Sequence, residues 1–271
     1  MRPEATPPRT GSMGAHRRPH ERLLAIHLAN RTAELDDEGG VTRWFERGRV
    51  EGMASPKPTA SAGPPRVFLL SPARLDGIRA RSIFEPRKPG DMARALRTRE
   101  GVPIGDVFRM LSGLYFRGKL VYARRFARPP EGAAWIGSGA LVITANRGLV
   151  PAETRVTIEH LEAFAQTDIH EAERQFRGPL VRDAELLRTA LGHDGEVVLL
   201  GSVAKAKYTA PLLDVFGDRL LFPGDFVGRG DMSRGGLLLR ATDDATELRY
   251  VKVRGASLRG ARPPKLEPRP R

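Results

Sequence analysis

The sequence predicts an α/β domain: a mainly parallel central sheet with helices on both faces, of the Rossmann-like three-layer kind, with a C-terminal β-hairpin. Three observations carry this. Short segments at residues 67–70, 140–144, 196–200 and 219–222, each built on three or four consecutive apolar residues, lack the polar alternation of a half-exposed strand, as strands covered on both faces do. Longer stretches with apolar residues three and four apart lie between these runs, giving the strand–helix alternation such a sheet requires. Each run also ends in a polar or glycine-containing turn, where open α/β sheets place their ligands.

Residues 66–253 hold this pattern. Residues 1–65 are rich in Pro, Gly, Ser, Thr and Ala at both ends and too polar to offset the entropy of ordering, so we expect a disordered extension. Met53 is an alternative translation start, because 53–65 would make a short leader into the first strand. Residues 254–271 form a basic, Pro-rich tail.

In chain order, residues 67–70 (VFLL) predict a buried strand stopped by Ser71-Pro72, which puts Ser71 at its carboxyl end. Asp91–Arg99 predicts a short helix. Residues 104–126 (IGDVFRMLSGLYFRGKLVYARRF) give the strongest helical spacing, through Val107, Met110, Leu111, Leu114 and Val121. Gly113 and Gly118 each weaken that helix by about 1 kcal/mol against Ala, so a bend or split is expected there. Residues 140–144 (ALVIT) predict a second strand, which runs into Asn146 and Arg147 in a glycine-containing turn. Thr157 is a suitable N-cap for a helix over 158–167, and residues 182–191 predict another helix closed by Gly192. Residues 196–200 (EVVLL) lead into Gly201-Ser202 and a helix over 204–216, an arrangement of free amides able to receive an anion. Residues 219–222 are the fourth strand. Residues 236–241 and 248–253 are expected to pair as the C-terminal hairpin.

The stretch 220–239 (LLFPGDFVGRGDMSRGGLLL) organises the functional expectation. Fourteen residues between two apolar runs contain five glycines, two acids and two arginines. A loop that long in a compact domain is unusual unless it is functional or disordered, and a structural loop whose charges face water is the alternative of equal weight. We expect Asp225 or Asp231 to act as a general base or to position water, since a glycine-lined, partly dry pocket would shift a carboxylate's pKa. Ser71, Asn146, Arg147, Gly201, Ser202, Arg229, Ser233 and Arg234 would bind the ligand. The sequence therefore predicts a protein that binds or acts on a nucleotide, a nucleobase or another phosphorylated small molecule.

Charge supplies an alternative. The chain carries a net +13, and residues 74–128 alone hold 14 basic against 5 acidic groups, a segregation that favours an anionic partner. Arg117, Lys119, Arg124 and Arg125 interleave with Tyr115, Phe116 and Tyr122, a pattern suited to phosphates and stacked bases. That is the reading of a nucleic-acid-binding module without chemistry. An arginine-rich composition in which Arg merely stands for Lys accounts for the same charge.

Other chemistry lacks its residues. The chain has no cysteine, so thiolate metal sites and disulfides are excluded, and a reducing cytoplasm is the expected location. No apolar stretch is long enough for a membrane span. The six histidines do not fall at metal-ligand spacing. There is no Walker A motif, no G-x-G-x-x-G after a strand and no G-x-S-x-G elbow. Nothing names a cofactor.

Leu141-Val142-Ile143-Thr144 with Arg147-Gly148-Leu149-Val150-Pro151, then Glu153, Val156 and Ile158, resembles a recurring signature of uncharacterised bacterial α/β domains. Val198-Leu199-Leu200-Gly201-Ser202 with Lys207-Tyr208 and Pro211-Leu212-Leu213 is similar to their second signature. Some of those domains resemble the uracil-DNA glycosylases in fold. The resemblance covers about 120 residues and implies the fold only. The glycosylases' water-activating loop, with its Asp, Pro, Tyr and His, is replaced here by SPARLDG at residues 71–77.

Overall fold

The computed structural model describes residues 63–266, apart from 86–88, 202, 204 and 258. The extension expected for residues 1–65 and the alternative start at Met53 therefore lie almost wholly outside the described residues. Six strands form one sheet: β1 (Arg66–Leu70), β3 (Ala140–Ile143), β4 (Leu149–Pro151), β6 (Glu196–Leu200), β7 (Leu220–Pro223) and β8 (Tyr250–Lys252), in the order β4-β3-β1-β6-β7-β8. The four inner strands are parallel, in register Leu69↔Leu141, Leu69↔Leu199 and Val197↔Leu220. Both edges are antiparallel, with Val142↔Val150 on one side and Phe222↔Val251 on the other. Two two-residue strands, β2 (Val102–Pro103) and β5 (Arg155–Val156), pair separately.

Among the described residues eight α-helices surround the sheet: α1 (Ile78–Phe84), α2 (Asp91–Ala95), α3 (Ile104–Ser112), α4 (Leu114–Phe126), α5 (Ile158–Gln166), α6 (Arg174–Leu191), α7 (Ala206–Phe216) and α8 (Asp231–Asp243). The unbroken apolar runs are explained by burial on both faces. Phe68, Leu70, Val142, Val198 and Leu200 join the core beneath α1, α3, α4, α5 and α8. Val67, Leu69, Leu141, Val197, Leu199 and Phe222 join the core beneath α6 and α7. Chain segments leaving β1 and β6 thus cross to opposite faces, and the direction of winding reverses between those two strands.

Three expectations change in detail. The helix predicted over 104–126 is two helices, split at Gly113 (φ +63°). The helix expected over 182–191 begins earlier, at Arg174, with Glu173 as N-cap accepting from the Gln175 amide at 3.0 Å. The C-terminal strand pair is present, but it joins β7 to β8, because residues 236–241 belong to α8. Leu237-Leu238-Leu239 reads as a buried strand, yet Gly235, Leu238 and Ala241 recur every three residues and form that helix's buried face. Short apolar runs do not by themselves separate the two. The fourteen-residue loop of the sequence therefore shrinks to a 3₁₀ turn (Gly224–Phe226) and four residues before α8.

The tail is not free of the domain. Residues 259–266 lie against residues 227–236, and the Arg229 guanidinium donates to the Pro264 carbonyl at 3.3 Å. No described helix is long and apolar enough to cross a membrane.

Candidate active site at the sheet's carboxyl edge

Because β1, β3, β6 and β7 are parallel, Ser71, Asn146, Gly201 and Asp225 all follow strand ends on one edge of the sheet. The sequence expectation of a shared edge holds. The strand order also divides that edge: Asn146 and Asp225 lie on opposite flanks, while Ser71 and Gly201 are neighbours where the winding reverses, the position at which open α/β sheets form a crevice. A Cβ on Gly201 would lie 2.8 Å from both Cβ and Oγ of Ser71. Glycine is required there for the two loops to meet. Ser202 lies outside the described residues.

Lys119 completes this centre. Its side chain descends from α4 and its ammonium nitrogen lies 2.6 Å from the Ser71 carbonyl and 3.0 Å from Ser71 Oγ. The residue is 1% exposed. Removing a charge from water favours its neutral form, and burial lowers the Lys119 pKa to about 7 against only a weak opposing pull from Asp231. The Tyr115 and Phe116 rings, 4.6 and 4.8 Å away, complete the enclosure. Tyr115 Oη is itself buried without a hydrogen-bond partner among the described residues, and burial raises its pKa to about 12. Lys119 does not belong to the basic surface the sequence assigned it to. The signal for its burial was present: 115, 119 and 122 lie on one face of α4, and Tyr115 and Tyr122 put aromatic rings on either side of it.

On the β3 side, the Asn146 amide donates to the Ala163 carbonyl (3.2 Å) and to Thr167 Oγ1 (3.1 Å), which ties it to α5. Asn146 Oδ1 and His160 Nε2 are both buried without partners among the described residues. His160 Nδ1 accepts the Thr157 amide at 2.9 Å, so a neutral imidazole carries its proton on the orphaned Nε2. Burial and the nearby Arg147 charge lower the His160 pKa. Arg147 donates its amide to Thr144 Oγ1 at 3.0 Å, and Asp183, fully buried, accepts the Leu149 amide at 2.9 Å, which fixes the turn.

The β7 side is built differently from the expectation. Asp225 and Asp231 are exposed, the Asp231 side chain by 71%, since Asp231 opens α8 at the surface. Neither carboxylate sits in a dry pocket. Arg234 is occupied: its Nε and Nη2 donate to the Phe226 carbonyl (3.2 and 3.1 Å), its guanidinium lies 5.5 Å over the Phe226 ring, and Nη1 is 3.7 Å from Asp231. Arg229 donates to the Asp225 carbonyl (3.0 Å) and to Ser233 Oγ (3.2 Å).

Arg229 and Ser233 do share a cavity of about 360 Å³ with Gly230, Arg262, Lys265 and Leu266. The cavity lies between the first turn of α8 and the tail. Three cations line it and no acid does, and no side chain caps the helix at Gly230. Arg262 and Lys265 came from a tail whose sequence showed charge but no reason to fold back. A larger depression of about 760 Å³ runs along the outer face of α6 among Arg174, Arg177, Arg182 and Glu185, and it gathers none of the carboxyl-edge residues.

On the remaining surface, Arg117, Arg124 and Arg125 are exposed on α4, and Arg124 is paired with Glu153 at 3.0 Å. No group of three or more His, Asp or Glu residues suited to a metal ion occurs among the described residues. No family model, curated protein or solved structure matches the chain.

Proposed function

We propose that the protein binds or acts on an anionic small molecule, a nucleotide or another phosphorylated metabolite, held between the first turn of α8 and the tail. The observation that carries this reading is the lining of the 360 Å³ cavity: Arg229, Arg262 and Lys265 with Ser233 beside an uncapped helix start, and no acid among them. Amide N–H groups and the helix dipole favour an anion at such a place. Guanidinium and ammonium donors add charge-assisted hydrogen bonds to phosphate oxygens.

Calorimetric titration with inorganic phosphate, nucleoside monophosphates and sugar phosphates tests it. Saturable binding is expected for at least one of them. Removing both Arg262 and Lys265 by substitution to Ala should weaken it about tenfold or more, since a hydrogen bond to a charged group contributes about 1.5–3 kcal/mol. Absence of saturable binding across the panel, or binding that is equal in the double variant, would refute the reading.

A second reading, a nucleic-acid-binding surface, is favoured by one observation. Arg117, Val121 and Arg125 stand at four-residue spacing on the solvent face of α4, and neither arginine has an ion-pair partner among the described residues.

A further inference from the structure

The meeting of Ser71 and Lys119 has the geometry of a nucleophile and its base. We propose that Ser71 is an acyl-accepting nucleophile and Lys119 its general base, acting on an activated carboxylic ester or thioester at the carboxyl ends of β1 and β6. The pair is independent of the anion cavity, and the proposal does not need it.

The hydrogen-bond inventory supports these roles. A neutral amine has two N–H donors and one lone pair. One N–H is committed to the Ser71 carbonyl at 2.6 Å, which fixes the amine; the Ser71 hydroxyl, which donates only at 3.5 Å to the Leu200 carbonyl, can turn its proton to the lone pair of the neutral amine across 3.0 Å. That distance is within reach for a nucleophile and its base. The amine must be neutral near neutral pH, and burial supplies this. The groups facing it are Ser71 from the loop after β1, Tyr115 and Phe116 from its own helix, and the more distant Asp231 from α8. Of these only Asp231 is a carboxylate, and its pull on Lys119 is outweighed by burial. Gly201 lets the loop after β6 pack directly against Ser71, since a Cβ there would stand 2.8 Å from Oγ. A lysine buried at this cost has no stabilising counter-ion at contact distance. Such strongly perturbed groups cluster at functional sites.

The step balances. Ser71 Oγ forms a bond to the acyl carbon as its proton passes to Lys119 Nζ. The leaving alcohol or thiol departs with that proton, which leaves an ester at Ser71 and a neutral amine. Water, deprotonated by the same amine, then cleaves the ester and restores both groups.

The experiment treats the full-length protein with p-nitrophenyl acetate and, separately, with a fluorophosphonate. It reads nitrophenol release against pH and maps the adduct by mass spectrometry. We expect one adduct, on Ser71, formed at a rate that rises through about pH 7 and then levels. Ser71→Ala should abolish it. Lys119→Met, similar in length and apolar, should slow it at least a hundredfold, as loss of a general base does. If Lys119→Met does not fold, the pH profile of the unmodified protein decides: a Ser71 adduct without an inflection near 7 overturns the role of Lys119. Modification confined to surface lysines, or equal Ser71 labelling in folded Lys119→Met, overturns the proposal.

Discussion

Gly118 and Gly235 face each other where α4 crosses α8. A Cβ on Gly118 would stand 2.7 Å from the Gly235 carbonyl, and one on Gly235 would stand 2.8 Å from the Tyr115 Cα. These contacts are backbone to backbone, so neither helix can yield by turning a side chain. The close crossing seats Tyr115 and Lys119 beneath the first turn of α8. The about 1 kcal/mol that each glycine costs its helix is offset by this packing.

Gly235→Ala should therefore destabilise the domain by about 1–3 kcal/mol, the usual cost of overpacking. Its neighbour is the control. A Cβ on Gly236 meets only the Leu266 Cδ1, at 3.3 Å, so Gly236→Ala should be neutral or should stabilise by up to about 1 kcal/mol through helix propensity. Urea midpoints of the two variants, side by side, check the prediction. Equal midpoints would mean that the helices do not cross this closely.

Burial of Lys119 also makes stability depend on pH. Its folded pKa of about 7 lies below the ordinary lysine value of 10.5. Between these values the unfolded chain binds more protons than the folded one, so this group's contribution rises with pH across the window. Below about 7 both states carry the proton and the penalty for a buried charge is fully present. Above pH 9.5 the buried tyrosines act in the opposite sense, since Tyr115, Tyr122 and Tyr208 are all raised to about 12. Unfolding measured from pH 7 to 9.5 should show stability rising in the unmodified protein, and Lys119→Met should remove most of that slope. A slope unchanged by Lys119→Met would locate the titration elsewhere.

The two charges that open α8 should separate in a stability measurement. Arg234 holds the Phe226 carbonyl through two hydrogen bonds and covers its ring. Arg234→Ala should cost about 1–2 kcal/mol, because a buried carbonyl then loses its donors. Asp231 is exposed, and its ion pair among the described residues is 3.7 Å long. Asp231→Asn should stay within about 0.5 kcal/mol. Thermal or urea unfolding of the pair decides, and equal losses would place Asp231 in the structural frame.

The strands were legible in the sequence because their physics is local. Four adjacent buried apolar residues in β1, at 67–70, leave an unbroken apolar run, and the turn after such a run lies at the sheet's edge whatever the rest of the chain does. That places Ser71, Asn146 and Gly201 at one edge from the sequence pattern alone. What the sequence hid depends on distant partners. Leu237-Leu238-Leu239 became helix because Gly235 lets α8 touch α4, a contact across 117 positions. Lys119 looked like a surface cation because its neighbours Arg117, Arg124 and Arg125 are cations, although it occupies an apolar position of the helix. The site's third component, Arg262 and Lys265, came from the tail, where Pro and charge give no periodic signal at all.

If the α4 surface binds nucleic acid, affinity should fall linearly in log–log with salt, by about 0.9 per phosphate engaged on duplex DNA. Replacing Arg117, Arg124 and Arg125 together by Ala should flatten the slope by at most about three, and by less if Arg124 stays with Glu153. Lys119 contributes nothing to this count, being buried. Filter retention or fluorescence anisotropy from about 50 mM salt upward measures it. No retention at that salt removes the nucleic-acid reading and leaves the cavity reading untouched.

The glycines before α8 predict how the tail is held. Gly228 has φ +73°, and a Cβ there would stand 2.1 Å from the Ala261 carbonyl. Gly230 has φ −79° and nothing within 4 Å of its own Cβ position. Gly228→Ala should thus incur the left-handed strain of about 1–2 kcal/mol and also push residues 259–266 off the loop. Gly230→Ala should cost nothing, or gain about 0.4–1 kcal/mol by restricting the unfolded chain. Displacing the tail withdraws Arg262 and Lys265 from the cavity while the sheet and its core remain. Gly228→Ala should accordingly speed tryptic cleavage after Arg259 and Lys265 and weaken anion binding, with circular dichroism unchanged. Gly230→Ala should do neither. A Gly228→Ala protein that resists trypsin and binds anions as before would show that the tail does not depend on this contact, and the cavity would need another account of what closes it.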